Sequence, residues 1–404
     1  MPGGALEGVN VIELGQAVSA PYCAKLFADY GADVIKVEPP AGGDVARHWG
    51  PFPQDKPHPE KSGAFFFLNT NKRGVTLDVG KDRGRDMFLQ LLEQADVLIE
   101  NNPPRQVRDW GLDYATLADV NPSLVMISIT PFGQSGPYSD WKGCDLNAFH
   151  LSGASSRYCG RPGEAPLEQG TFAADFFGAT TAAAWGLAAV YGRRPPGGGQ
   201  HLDVSCAEAV ASLFVGSQNI GAMAQDGKFD RRTGVGMSLG APATILPCKD
   251  GHVWILALET AQWNGLARVM GNPEWMQMEM FQEMLVRAQN SDAMYPLIEQ
   301  WTMEHSKWEI MEKCQAEGCP VTAVFTVAEA AEHPHLQARQ YVVELEHPAL
   351  GKIRDLGAPF KLPESPGGPC RPAPLLGQHN AEVYDSLLSL KADDLAELRS
   401  AGVI

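Results

Sequence analysis

The amino-acid sequence predicts an α/β protein whose main body is a Rossmann-like, doubly wound parallel sheet. Two observations carry that expectation. The chain opens with a β-branched run, a helically spaced segment and a second β-branched run, which together make a β-α-β unit. The same alternation then recurs up to residue 130, and strands that alternate with helices imply parallel pairing. Element by element, Val9 to Leu14 reads as a strand, Ser19 to Tyr30 as a helix and Asp33 to Glu38 as the next strand. Val75 to Asp78, Asp96 to Glu100 and Leu124 to Thr130 follow as strands, with helices over Asp82 to Gln94 and Tyr114 to Val120 between them. The first strand-to-helix turn, Gly15-Gln-Ala-Val-Ser-Ala-Pro21, lacks G-x-G-x-x-G, so a Rossmann-like sheet is expected without dinucleotide binding.

A further strand, His201 to Ser205, and a helix, Ala207 to Gln218, precede a change of character. Asp226 to Pro242 is Gly-rich and partly basic and reads as a linker and mobile loop. Lys249-Asp-Gly251 marks a hairpin between Ala243 to Pro247 and His252 to Ala257. Helical segments follow, clearest at Ser291 to Glu304 and Lys307 to Glu317, and suggest a smaller second domain. Short strands return at Tyr341 to Glu346 and Lys352 to Leu356, followed by Pro-rich chain and two short helices.

Composition removes several functional classes. A formal charge of −16 argues against a general nucleic-acid or anionic-membrane surface, so an anionic ligand has to be met by a local basic patch. Met1 to Gly8 shows no basic segment followed by an apolar core, and no uninterrupted apolar stretch of about 20 residues appears. The eight cysteines are scattered with no C-x-x-C pair, which fits reduced thiols and a cytoplasmic protein. His333-Pro-His335 reads as a loop feature, and no metal is expected.

One position stands out. From Thr171 to Gly192 the chain reads TFAADFFGATTAAAWGLAAVYG, with Asp175 its only charged residue. An ionised group in apolar surroundings costs several kcal/mol unless it is paired or hydrogen-bonded, and tuned reactive groups are found in such places. Spacing alone leaves two readings open: a first-turn capping acid, or a reactive carboxylate held ionised by the helix N-terminus.

Ala174-Asp175-Phe-Phe-Gly178, an Ala-rich helix, Arg193-Arg194 and Gln200-His-Leu-Asp-Val-Ser205 together resemble the signature region of class III (CaiB/BaiF) CoA-transferases. Gly8-Val-Asn-Val-Ile-Glu13, Gly31-Ala-Asp-Val-Ile-Lys-Val-Glu38, Asn71-Lys-Arg73, Glu100-Asn101, Phe132-Gly-Gln-Ser-Gly-Pro137 and Pro374-Leu-Leu-Gly-Gln-His379 extend the resemblance along the whole chain. The resemblance implies that Asp175 is the covalent nucleophile and that acyl-CoA is a substrate rather than a tightly bound cofactor. CoA would pass from an acyl-CoA donor to a carboxylic acid acceptor. It also implies an interlocked, ring-like dimer, either a homodimer or a heterodimer with a related chain. On that basis residues 1–220 and 325–404 form the large CoA-binding domain built from both chain ends, 221–242 the linker and loop, and 243–324 the small α+β domain.

A carboxylate near its unperturbed pKa of about 3.9 is ionised at neutral pH, so the nucleophile is expected to need no general base. The turn residues Gln16, Ala17 and Val18 match the family's CoA-contacting turn. Lys72, Arg73, Arg105, Arg108 and Lys142 are the cations expected to meet CoA phosphates or pantetheine. Asp109 stands where the family usually carries an arginine, with Arg108 beside it. Gly234, Gly236 and Gly240 are the expected oxyanion or lid loop, and Asp145 is either a second acid or a cap. Racemase-like relatives place Gly-His-Asp where this chain has Gly143-Cys144-Asp145, so a proton relay lacks one arm here.

Overall fold

A computed structural model describes residues 3–193, 198–213, 221–227, 232 and 240–404. The described residues fall into two compact units, one within 1–155, 168–229 and 337–404, the other within 156–167 and 230–336.

The first unit is organised by six parallel strands. In chain order its opening elements are β1 (Asn10–Leu14), α1 (Ser19–Asp29), β2 (Asp33–Glu38), α2 (Gly63–Asn69), β3 (Arg73–Thr76), α3 (Asp82–Leu92) and β4 (Val97–Glu100). They are followed by α4 (Pro104–Asp109), α5 (Tyr114–Val120), β5 (Val125–Thr130), α6 (Asp145–Leu151), α7 (Ala154–Tyr158), α8 (Ala173–Gly192), β6 (Gln200–Ser205) and α9 (Cys206–Val210). The sheet order is β3-β2-β1-β4-β5-β6, with Ile12 of β1 opposite Ile35 of β2 and Leu98 of β4. Strand order reverses between β1 and β4, the place where open α/β sheets leave a crevice beyond their carboxyl ends. Asn101, one residue past β4, closes that crevice's floor. Its Oδ1 accepts the Gln16 amide at 2.9 Å, and its Nδ2 donates to the Gln16 carbonyl and to Ser19 Oγ. β3 starts two residues earlier than the Val75 to Asp78 pattern predicts, because its register with β2 sets Arg73 opposite Ile35.

Helix α8 lies against β5 and β6 on a seam of small side chains. Ala174, Gly178, Ala182 and Gly186 recur every four residues and are all buried. A Cβ on Gly186 would sit 2.4 Å from Ile127 Cδ1, and one on Gly178 would sit 2.6 Å from Cys206 Sγ. Only glycine lets α8 approach the sheet and α9 this closely. The helix's other side carries Trp185 and Tyr191, 64% and 94% exposed.

α10 (Gly221–Asp226) belongs to the first unit; from residue 240 onward the elements of the second begin with β7 (Ala243–Cys248), β8 (Gly251–Leu256) and α11 (Thr260–Val269). After these come α12 (Met284–Gln289), α13 (Ser291–Thr302), α14 (Lys307–Ala316), β9 (Val321–Ala323), α15 (Val327–Ala331) and, at its end, α16 (Pro334–Ala338). β7, β8 and β9 form an antiparallel sheet, joined through the expected hairpin. Trp263 is a core residue there, 1% exposed, beneath the buried Arg287 guanidinium at 4.8 Å. That guanidinium donates to the carbonyls of Ala241, Phe281, Gln282, Ala257 and Leu258, so an unpaired buried cation is fully satisfied by backbone.

The chain then returns to the first unit with the antiparallel pair β10 (Val342–His347) and β11 (Gly351–Leu356), and with α17 (Asn380–Leu388) and α18 (Ala392–Ser400). Tyr384 donates to the Thr76 carbonyl at 2.8 Å, and Val383, Leu395, Leu398 and Ile404 join the core beside α3. The C-terminal segment therefore completes the layer over β3.

Candidate active site

Asp175 occupies the first turn of α8, and Asp145 is the first residue of α6. The two residues, 30 apart in sequence, meet through the backbone: Asp145 Oδ1 accepts the Asp175 amide at 2.9 Å, and the Ala174 amide also bonds to the Asp145 carboxylate. Phe172, the residue ahead of α8, supplies no side-chain cap, so Asp145 satisfies helix donors that would otherwise be orphaned. Cys206, at the start of α9, places Sγ 3.9 Å from Asp175 Oδ1.

Asp145 and Asp175 face a cavity of about 490 Å³ in the first unit. Ala17, Ser19 and Asn101 bring in the β1 and β4 turns, Pro131 and Gly143 to Leu146 the segment after β5, and Glu168 to Phe172 the approach to α8. Trp49 and Phe172 stack across one side, with rings 5.2 Å apart and 9° from parallel. Ala17 adopts φ 64°, and its amide is held by Asp44 Oδ1 at 2.9 Å, so the β1 turn is fixed in a conformation a non-glycine residue rarely takes.

Burial pushes the Asp175 carboxyl up to about 7, and the Asp145 carboxylate beside it pushes the same way, against the small opposing effect of the Cys206 thiol. This corrects the expectation of a nucleophile near its ordinary pKa and held ionised by the start of its helix. The amides that would have stabilised its charge are given to Asp145. Burial raises Asp145 as well, with Glu168 adding to it, while the bonds from the Asp175 and Ala174 amides oppose the rise.

The family model for CoA-transferase family III matches residues 6–380. The chain belongs to that family. Succinyl-CoA–D-citramalate CoA-transferase of Chloroflexus aurantiacus is 33% identical over 402 residues, which cover 99% of this chain and 98% of that protein. Formyl-CoA:oxalate CoA-transferase of Streptomyces avermitilis is 33% identical over 416 residues and 99% of both chains. A crystal structure of a CaiB/BaiF family protein from Brucella suis matches with a TM-score of 0.84 at 28% identity, covering 95% of this chain and 100% of that one. The chain is thus an enzyme, a class III CoA-transferase working on CoA thioesters, and its six-stranded sheet is parallel, as the strand–helix alternation predicts.

Among the residues expected to meet CoA, the structure separates two groups. Arg105 and Arg108 lie on α4, past the carboxyl end of β4, exposed and facing Asp109 and Asp140 respectively. Lys142 is exposed beside the cavity residue Gly143. Gln16 has its backbone tied to Asn101, while its Oε1 accepts the Val45 amide at 3.3 Å; Val18 is buried. Lys72 is a correction. It is 2% exposed, and its ammonium is taken by Glu13 Oε2, the Pro21 carbonyl and Asn69 Oδ1, leaving no hydrogen for a phosphate. Arg73 is a second one, since it sits at the amino end of β3, paired with Asp33 and Glu382. Gly234 and Gly236 lie outside the described residues. Gly240 is packed in the second unit, where a Cβ would come within 2.8 Å of Leu258 Cδ2.

Sequence reasoning did not find Cys206, Trp49 or Glu168. Cys206 directly follows the Gln200 to Ser205 string, but no spacing rule links it to Asp175. His150, on α6, is exposed and bonds Ser155 Oγ at 2.7 Å. Among the described residues no group of His, Cys, Asp and Glu could hold a metal ion, and no helix is long and apolar enough to cross a membrane.

Proposed function

We propose that the enzyme moves CoA from an acyl-CoA donor to a free carboxylic acid with Asp175 as the covalent nucleophile. The observation that carries this reading is the Asp175 carboxylate in the first turn of the Ala-rich α8, lining a cavity of about 490 Å³ beyond the carboxyl ends of the sheet. The Asp175 carboxylate attacks the donor's thioester carbonyl, forming a mixed anhydride and releasing CoA thiolate. The thiolate attacks the aspartyl carbonyl, giving an aspartyl-CoA thioester and freeing the donor acid. The acceptor carboxylate then displaces CoA thiolate to form a second anhydride, and the thiolate takes the acceptor's acyl group, restoring Asp175. Splitting one exchange in this way is ordinary covalent catalysis. Each tetrahedral step needs amide donors aimed at the developing oxyanion.

Relatives named for succinyl-CoA, citramalate, formyl-CoA and oxalate support short polar acids as the first exchange partners to test. The phosphates of CoA are proposed to meet Arg105, Arg108 and Lys142 beside the Gln16 to Val18 turn. The assembly is proposed to be an interlocked homodimer in the cytoplasm, and the exposed Trp185 and Tyr191 on α8 support a covered face there. A racemase needs a base and a conjugate acid at the α-carbon. Here Cys144 stands at the histidine position, and Asp145 is engaged with the α8 amides. A chiral 2-methylacyl-CoA in D₂O is therefore expected to keep its stereochemistry and take up no deuterium, as read by NMR; enzyme-dependent uptake reduced by Asp145→Asn would turn the reading to racemisation. Transfer itself is tested by mixing succinyl-CoA or formyl-CoA with a panel of free acids and following CoA exchange by mass spectrometry.

A further inference from the structure

The nucleophile's acidic neighbour has a role that transfer chemistry alone does not assign. We propose that Asp145 is a positioning residue for the reaction: it caps the helix that carries Asp175 and sets its own charge against that carboxylate, disfavouring the ionised resting nucleophile relative to the neutral aspartyl states that follow. The inference rests on the reading of Asp175 as nucleophile.

Three observations carry it. Asp145 is 8% exposed, so its charge is weakly screened, and it is fixed by the amides of Asp175 and Ala174 rather than by a cation. The titratable groups facing Asp175 are Asp145 from α6 and Cys206 from α9, with Glu168 facing Asp145 from the segment before α8; among the described residues no basic side chain offsets them. Two carboxylates that share a site without a cation resist double ionisation. Acylation relieves this directly. When Asp175 becomes an anhydride or a CoA thioester its charge is gone, the negative charge leaves on the thiolate or the freed acid, and Asp145 keeps its amides. The same residue therefore holds the backbone of the nucleophile and raises the free energy of its charged state.

Asp145→Asn separates the two parts, because an amide oxygen still accepts the helix N–H groups while the charge is removed. The test is a ¹³C NMR titration of the full chain labelled at aspartate carboxyls, with Asp175→Asn used to assign the Asp175 signal. Wild type is expected to titrate near 7 at Asp175, and Asp145→Asn to bring that midpoint down by about one pH unit or more. Amide exchange at the start of α8 should stay protected in Asp145→Asn and accelerate in Asp145→Ala. A cap without electrostatic function predicts the same midpoint in wild type and Asp145→Asn, and that result overturns the proposal, as does an Asp175 midpoint near 4 in wild type. Failure of the nucleophile reading is seen separately, as CoA transfer that survives Asp175→Ala while the titration behaves as expected.

Discussion

Two sets of buried charges flank the same sheet edge, and they are built in opposite ways. Behind β1 and β2, Lys36 reaches Glu13 at 2.7 Å and Asp44 at 2.8 Å, Lys72 reaches the second Glu13 oxygen at 2.7 Å, and Arg47 holds Glu38 at 2.7 Å. Burial works against the Lys36 charge, yet the carboxylates of Asp44, Glu13 and Glu38 hold its pKa above the usual lysine range. Burial dominates at Lys72, which falls to about 8 despite Glu13. At the α6–α8 junction Asp145 takes the helix amides, Asp175 is left with a thiol, and burial together with the Asp145 charge raises Asp175 to about 7. Where cations answer the carboxylates the edge is scaffold; where none does, a carboxylate is left that bond formation can neutralise.

The sharpest break in that comparison is Asp175→Ala, expected to reduce transfer by more than about 10³-fold while leaving the fold intact, as measured by CoA exchange and circular dichroism. The acid side of the wild-type profile should fall as pH drops through about 7, where the nucleophile protonates. The stability sign is opposite. Because folding raises this carboxyl above its unfolded value, the group's contribution is intact below about pH 4 and is lost as pH rises through about 7. Asp175→Asn should therefore be more stable than wild type at pH 8, by roughly 2–4 kcal/mol, and equal to it near pH 4.

In the paired set, Lys36→Met leaves Glu13 and Asp44 short of a cation and should destabilise the protein by about 3–5 kcal/mol in urea unfolding. Equal stability would mean that these charges are solvated or neutral. Gly178→Ala should cost about 1–3 kcal/mol, since its Cβ would be 2.6 Å from Cys206 Sγ, and Cys206→Ala in the same chain should recover most of the loss. Cys206→Ala alone should move the acid limb of transfer upward by less than about one pH unit, because one weak donor to Asp175 is lost.

Much of the sheet was legible in the sequence. β-Branched runs such as Asn10–Leu14 and Asp33–Glu38 coincide with strands because both faces of a parallel sheet exclude water. Asp175 was legible as an isolated charge in an Ala-rich helix. Its ionisation was not, since the shift comes first from burial in the folded chain and then from Asp145, which lies 30 residues earlier and meets it through backbone. Lys72 and Arg73 were misread as ligand cations because adjacency to a loop says nothing of direction: Lys72 extends inward to Glu13, and Arg73 falls at the amino end of its strand. Asp145 was open between acid and cap, and the structure shows the cap, across elements rather than within its own helix.

The central claim is that the acyl group and CoA pass through the Asp175 carboxyl. Enzyme quenched during turnover of succinyl-CoA or formyl-CoA with an acceptor acid, then treated with hydroxylamine and mapped by mass spectrometry, tests it directly. The account predicts a hydroxamate on the peptide containing Asp175, absent in Asp175→Ala; an adduct on Cys144 or Cys206 with Asp175 unmodified would contradict it.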